Sequence, residues 1–119
     1  MSDKHIISAR PGFIRARNHG EKAISKTVII QAVRGDGDSW RYGLTATKKI
    51  GNAVVRNRVR RRLRAVAREI LAPIAMSGVD YVFIGRATTA ASSWSALVTE
   101  VEKSLKYLHR KLGDAEKQG

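Results

Sequence analysis

Between Ala53 and Leu71, hydrophobic and charged positions separate at the period of an α-helix. At about 100 degrees per residue, Val59, Leu63, Val66 and Ile70 fall on one side. Asn57, Arg60, Arg61, Arg64 and Arg68 collect on the other, with Arg56, Arg58 and Arg62 nearer the flanks. Pro73 ends this helix, because proline lacks the amide donor and clashes with the preceding turn. A second stripe of Trp94, Leu97, Val98, Val101, Leu105, Leu108 and Leu112 predicts a C-terminal helix capped by Ser92 or Ser93. The polar tail over 113–119 is expected to fray. Near the start, Pro11 suits the first turn of a short helix running to about Asn18 and ended by Gly20.

The segments between these helices are β-like. The run TVIIQAV, Thr27 to Val33, is rich in β-branched residues, and WRYGLTAT, Trp40 to Thr47, alternates roughly. The turn sequence GDGD at Gly35 to Asp38 separates them, so the two are expected to pair as a hairpin. A short strand is a candidate over Lys22 to Ser25. DYVFIGR, Asp80 to Arg86, carries four consecutive apolar residues and is expected at the centre of the sheet. Two striped helices packed on one side of a small sheet give an α+β, two-layer sandwich with one sheet face more open. A chain of 119 residues suits one such domain over 1–119.

Charge changes the picture. Lys and Arg number 23 against 10 Asp and Glu, a formal net charge of +13 with a pI near 11.0. Such self-repulsion is best tolerated where a polyanion neutralises it. Arg56, Arg60, Arg64 and Arg68 form a row at i,i+4 spacing, as do Arg58 and Arg62, and like charges so placed cost about 0.2–0.5 kcal/mol per pair. A merely solvated helix face would do better with alternating signs, so this face points to nucleic acid. The arginine fork suits it by offering phosphate two parallel hydrogen bonds. Lys48 and Lys49 precede the helix, Asn52 is a candidate cap, and Gly51 is either an ordinary turn or a place for phosphate to approach the positive helix end.

Other chemistries are poorly served. Cysteine is absent, which removes disulfides, thiolate nucleophiles and cysteine metal sites. Asp36 and Asp38 lie in a turn, Asp80 begins a strand alone, and His5, His19 and His109 form no ligand or catalytic motif, so neither a protein metal site nor an independent active site is expected. No zinc-finger, basic-zipper or helix-turn-helix pattern supports a DNA reader. Apolar runs are too short for a membrane span and Met1 to Arg10 lacks a secretory core, so a cytoplasmic protein with no membrane partner is expected. Composition and pattern alone leave open a ribosomal or other structural RNA-binding protein.

The ordered run RYGLTATKKIGNAVVRNRVRRRLRAVAR, Arg41 to Arg68, is more specific. Its Gly43, Leu44, Thr45, then Lys48, Lys49, Gly51, Ala53, Val54, then Arg56, Asn57, Arg58, Arg61, Arg62, Leu63 and Arg64 resemble the signature region of the bacterial ribonuclease P protein component. Phe13, the D-x-V-x-x-x-R pattern of Asp80 to Arg86 and the leucine-striped last helix extend the resemblance over nearly the whole chain. It implies the order α-β-β-β-α-β-α, similar to the second domain of ribosomal protein S5, with a left-handed βαβ crossover. It also implies a subunit that assists endonucleolytic removal of the 5′ leader from precursor tRNA. Its partners would be the catalytic RNA subunit and precursor tRNA, with Mg²⁺ at the RNA centre and no obligate protein partner.

By that resemblance Lys48, Lys49, Arg56, Asn57, Arg58, Arg61, Arg62 and Arg64 face the catalytic RNA, and Arg60 and Arg68 join them from their side of the helix. Phe13, Arg17, Val28 and Gln31 are the expected leader-cleft contacts, although Phe13 and Val28 also suit plain core positions. Many relatives carry aromatics at the places of Arg17, Val28 or Gln31, so base stacking is weakened in this chain. Trp40 and Tyr42 are read as packing residues of their strand.

Overall fold

A computed structural model of the chain describes residues 5–7, 10–35 and 37–118, with side-chain surroundings through Gly113. Helix α1 (Arg10–His19) is followed by strands β1 (Glu21–Ile24), β2 (Val28–Arg34) and β3 (Arg41–Thr45). A single 3-10 turn at Lys48–Ile50 leads into α2 (Ala53–Val66), which a π-helical turn extends over Ala67–Leu71. Then come β4 (Val79–Gly85), a short α3 (Ala87–Ala91) and α4 (Trp94–Gln118), whose helical backbone continues over the polar segment expected to fray. The order is the expected α-β-β-β-α-β-α with α3 added.

The sheet order is β1-β2-β4-β3. The expected hairpin of β2 with β3 is therefore not formed: β4 lies between them, antiparallel to β2 and parallel to β3. The reason is burial. β4 is the most apolar strand, with six of its seven residues buried, and the centre of the sheet covers both its edges. The connection after β2 must then cross two strand spacings, about 10 Å, and Gly35 N–H holds it by donating to Gly78 O at 2.7 Å. The hairpin that does form joins β1 to β2, closed by Ser25, whose hydroxyl donates to Val28 O at 2.7 Å.

Alternation divides the sheet into two faces. Val28, Ile30, Ala32, Tyr42, Tyr81 and Phe83 meet Val59, Leu63 and Val66 of α2 and Leu97, Val101, Leu105 and Leu108 of α4 in the main core. On the other face α1 makes a smaller cluster, Ile7, Ala16, Val33 and Val82, with Phe13 and Ile84 at its edge. Residues 5–7 run along β3: Ile7 N–H donates to Tyr42 O, and Tyr42 N–H to His5 O, both at 2.7 Å. Trp40 stacks on the His5 ring at 4.0 Å while Tyr42 is buried, so both aromatics pack.

Two local features depart from simple periodicity. In an unbroken α-helix Ile70 would continue the buried stripe. The π turn, in which Ala72 N–H reaches Ala67 O at 2.9 Å, slips the register by one residue. Ala67 and Leu71 become fully buried, and Ile70 only partly so. Second, Asp80 is buried, not exposed at the strand start: Arg41 grips it with Nε to Oδ1 at 2.9 Å and Nη2 to Oδ2 at 2.6 Å. A carboxylate this dry requires such a partner.

On the helix-facing side, the Tyr81 hydroxyl accepts from Met76 N–H at 3.0 Å and reaches His109 Nε2 at 2.6 Å. Burial lowers the His109 pKa and raises that of Tyr81, so imidazole and phenol are both neutral and share this hydrogen bond. The unfolded imidazole protonates near 6.5, the folded one only at lower pH. Stability is thus complete above about 6.5 and falls as pH drops through the folded pKa. Thermal melts between pH 7.5 and 5 should show a decline that His109→Gln reduces; an equal decline in the variant would assign it to other groups.

Candidate nucleic-acid interface

Gly51 and Asn52 set the start of α2. Gly51 adopts φ 149°, a conformation that side-chain-bearing residues rarely accept, and a β-carbon there would press on Val55. Its N–H is engaged with Lys48 O at 3.3 Å, so the turn reading of Gly51 holds. Asn52 caps the helix as expected, its Oδ1 accepting from Val55 N–H at 3.0 Å. With Val59, Leu63 and Val66 committed to the core, α2 turns Asn57, Arg58, Arg61, Arg64 and Arg68 outward, and all five are exposed, as are Lys48 and Lys49.

The flanking arginines differ from these. Arg60 donates to Asn57 Oδ1 at 3.1 Å and to Ala46 O at 3.4 Å, leaning toward the end of β3. Arg56 is half-buried on the same flank, and its Nε is buried without a partner among the described residues. On the opposite flank Arg62 Nη1 donates to Thr89 O at 3.0 Å and Ser92 O at 2.6 Å. Desolvation, then the charges of Arg58 and Arg61, lower its pKa, but a guanidinium stays protonated. Arg62 thus fastens α2 to the connection between α3 and α4, which separates it from the exposed Arg58. Periodicity had no means of finding this, since α3 itself is too short and polar to register as an amphipathic helix.

The second element is a cleft of about 410 Å³ between α1 and the sheet, lined by Arg10, Phe13, Ile14, Arg17, Gln31, Thr45, Thr47, Val82 and Ile84. It unites three of the four expected contacts: Phe13, Arg17 and Gln31. Phe13 lies so close to β3 that a β-carbon on Gly43 would come within 2.5 Å of its ring. Val28 is excluded, being fully buried in the main core. Residues three apart on a strand point to opposite faces, so Val28 and Gln31 have no common surface. Arg10, Ile14, Thr45, Thr47, Val82 and Ile84 are the cleft residues not anticipated, and strand alternation with the β4 register (Gln31 opposite Val82, Ile29 opposite Ile84) is the signal that places the last two.

The two elements are continuous. The cleft ends at Thr45 and Thr47, and Lys48, Lys49 and the Arg60 contact at Ala46 follow directly. Among the described residues no three His, Cys, Asp or Glu side chains gather to hold a metal, and Asp80 is occupied by Arg41. No helix among the described residues is long and apolar enough to cross a membrane.

A two-layer α+β fold with an arginine-faced helix beside an open, cation-rimmed cleft defines an RNA-binding subunit. The ribonuclease P family model matches residues 1–109. The chain is 42% identical over 108 residues to the ribonuclease P protein component of Gluconacetobacter diazotrophicus, covering 89% of this chain and 93% of that one. It is 39% identical over 111 residues to that of Ruegeria pomeroyi, covering 87% and 86%. The chain belongs to the bacterial ribonuclease P protein component family. In fold it is similar to the Staphylococcus aureus RNase P protein, with a TM-score of 0.74 at 22% identity over 88% of this chain and 95% of that one. The corresponding values for the Thermotoga maritima protein are 0.72 and 20%, over 90% and 97%.

The division of the arginines is testable by urea denaturation. Arg62→Ala should cost about 1–2 kcal/mol, because two carbonyls are deprived of a charged donor, whereas Arg61→Ala should stay within about 0.5 kcal/mol. Equal costs would contradict the assignment of Arg62 to the fold.

Proposed function

We propose that this subunit holds RNA at two connected places: the outer face of α2 takes the catalytic RNA of ribonuclease P, and the α1–sheet cleft takes the 5′ leader of precursor tRNA. The observation that carries this reading is the continuity of the cleft's Thr45–Thr47 end with the lysines and arginines that follow. A strand leaving the α2 face meets cations and then an apolar-walled groove whose described lining carries no acidic side chain. Asn57, Arg58, Arg61, Arg64 and Arg68, with Lys48 and Lys49, supply exposed donors; Arg56 and Arg60 contribute from the flank nearer the cleft. Arg62 has one nitrogen committed internally and acts mainly by holding the helix.

The subunit works by binding and positioning. Its described side chains offer no carboxylate set for Mg²⁺, so no step of hydrolysis is routed through them, and the Mg²⁺ that supports phosphodiester cleavage belongs to the RNA. The fixed positive charge of α2 concentrates phosphate near that centre. Phe13 and Ile14 give bases an apolar wall while Arg10 and Arg17 meet the backbone. Precursor tRNA 5′-end maturation is the activity served, in a cytoplasmic ribonucleoprotein.

Replacing Arg61 and Arg64 by alanine should weaken binding of the catalytic RNA and reduce the slope of log affinity against log salt by about 0.7–0.9 for each phosphate that is no longer neutralised. Melting of the free subunit should be nearly unchanged. An unaltered slope and affinity would remove these two arginines from the RNA-binding surface.

A further inference from the structure

The two outer edges of the sheet differ. Residues 5–7 run along β3 and cover it, whereas among the described residues nothing pairs with the outer edge of β1. Ser25 N–H donates to Val28 O at 3.0 Å, and bonded positions alternate along an antiparallel ladder. Glu21 and Ala23 therefore direct their amides and carbonyls at β2, while Lys22 and Ile24 turn theirs outward. Beside that edge a groove of about 510 Å³ runs between β1 and α4, with Lys22, Ala23 and Ile24 on one wall and Lys103, Ser104 and Tyr107 on the other. Ile24 is 68% exposed and Tyr107 37%, so both walls offer apolar surface.

Cations predominate around the groove. Lys22, Lys103, Lys106, Arg110 and Lys111 are all exposed, and Lys111 Nζ lies 5.6 Å from the centre of the Tyr107 ring. Against them stand Glu21, Glu102 and Glu100, and Glu100 already accepts from Lys26 N–H at 3.3 Å. A lysine on a short strand is an ordinary guard against edge pairing, and Lys22 guards well against a second copy of a chain whose net charge is +13. It does not repel an acidic strand. RNA would find the same cations, yet it makes poor use of alternating backbone donors and acceptors or of the exposed Ile24 side chain.

We propose that the β1 edge and its groove dock an extended segment of another protein, acidic and carrying apolar residues, which adds a strand to the four-stranded sheet. Backbone bonds to Lys22 and Ile24 hold it. By strand alternation its side chains meet Tyr107, Lys103 and Lys111 on the α4 face, and Ile24 and Lys22 on the other. β1 and β3 are the outer strands, so the site lies across the sheet from the β3 end at which α2 begins, and the arginine face stays free for RNA.

The test uses the holoenzyme assembled from the full chain and a matched catalytic RNA, so that the arginine face is already occupied. The probe is a short fluorescent peptide of alternating valine and glutamate, followed by anisotropy, with hydrogen exchange reporting on the backbone amides of β1. Binding should saturate and slow exchange at Lys22 and Ile24. The same peptide N-methylated along one edge, which removes its backbone donors there, should bind about tenfold more weakly. Lys103→Glu combined with Lys111→Glu should weaken the unmodified peptide about fivefold or more and leave precursor cleavage unchanged. Failure of the peptide to bind, equal binding of its N-methylated form, or protection confined to other elements overturns the proposal. Edge amides already protected in the free subunit, together with a dimer in sedimentation, would give the edge to a second copy instead. Displacement of the peptide by a single-stranded oligoadenylate that leaves the β1 amides unprotected would give the surface to RNA, and would equally overturn it.

Discussion

The seat of α2 on the sheet is the contact on which the rest depends. Val59 approaches β4 so closely that Gly85 has no room for a β-carbon, and Val59, Leu63 and Val66 are fully buried behind it. This apolar anchorage lets one helix carry a row of like charges whose mutual repulsion opposes the helix itself. Arg62 reinforces it from one flank through the carbonyls of Thr89 and Ser92. Arg60 does so from the other through Ala46 O. With its inner side and flanks fastened, the helix keeps its outward arginines in place without needing acidic neighbours.

That seat also aligns the cleft. Because α2 enters from β3 and returns to β4, its positive face begins where Thr45 and Thr47 close the groove under α1. Arg41 and Asp80 pin the opposite end of the same two strands. Gly43 lets Phe13 approach the sheet and leaves the half-buried ring as a wall of the groove. The binding surface is thus a consequence of how the sheet's central strand is buried, with α4 covering the main core and α1 leaving part of the other face open.

Most elements were legible from the sequence, because the apolar stripe of α4, the buried centre of β4 and the two-sided character of α2 are local periodic signals. The pairing of β2 with β4 was not, since a Gly-Asp turn signals reversal but does not say which strand fills the gap. The π turn at Ala67–Leu71 escaped because it preserves a helical composition while slipping the register from Ile70 to Leu71. At the site, residue type and spacing marked the outward arginines, whereas Phe13, Arg17 and Gln31 came only from the family resemblance. Arg62 and Val28 illustrate what both sources miss: a long-range carbonyl partner in one case, and in the other a face that strand alternation would already have assigned to the core.

Precursor tRNA cleavage at low Mg²⁺, with and without a matched bacterial ribonuclease P RNA, tests the central claim most directly. A subunit that binds and positions RNA should leave the precursor intact by itself and increase correct 5′ cleavage when the RNA is present. Cleavage by the protein alone, or no stimulation of a competent RNA, would contradict it.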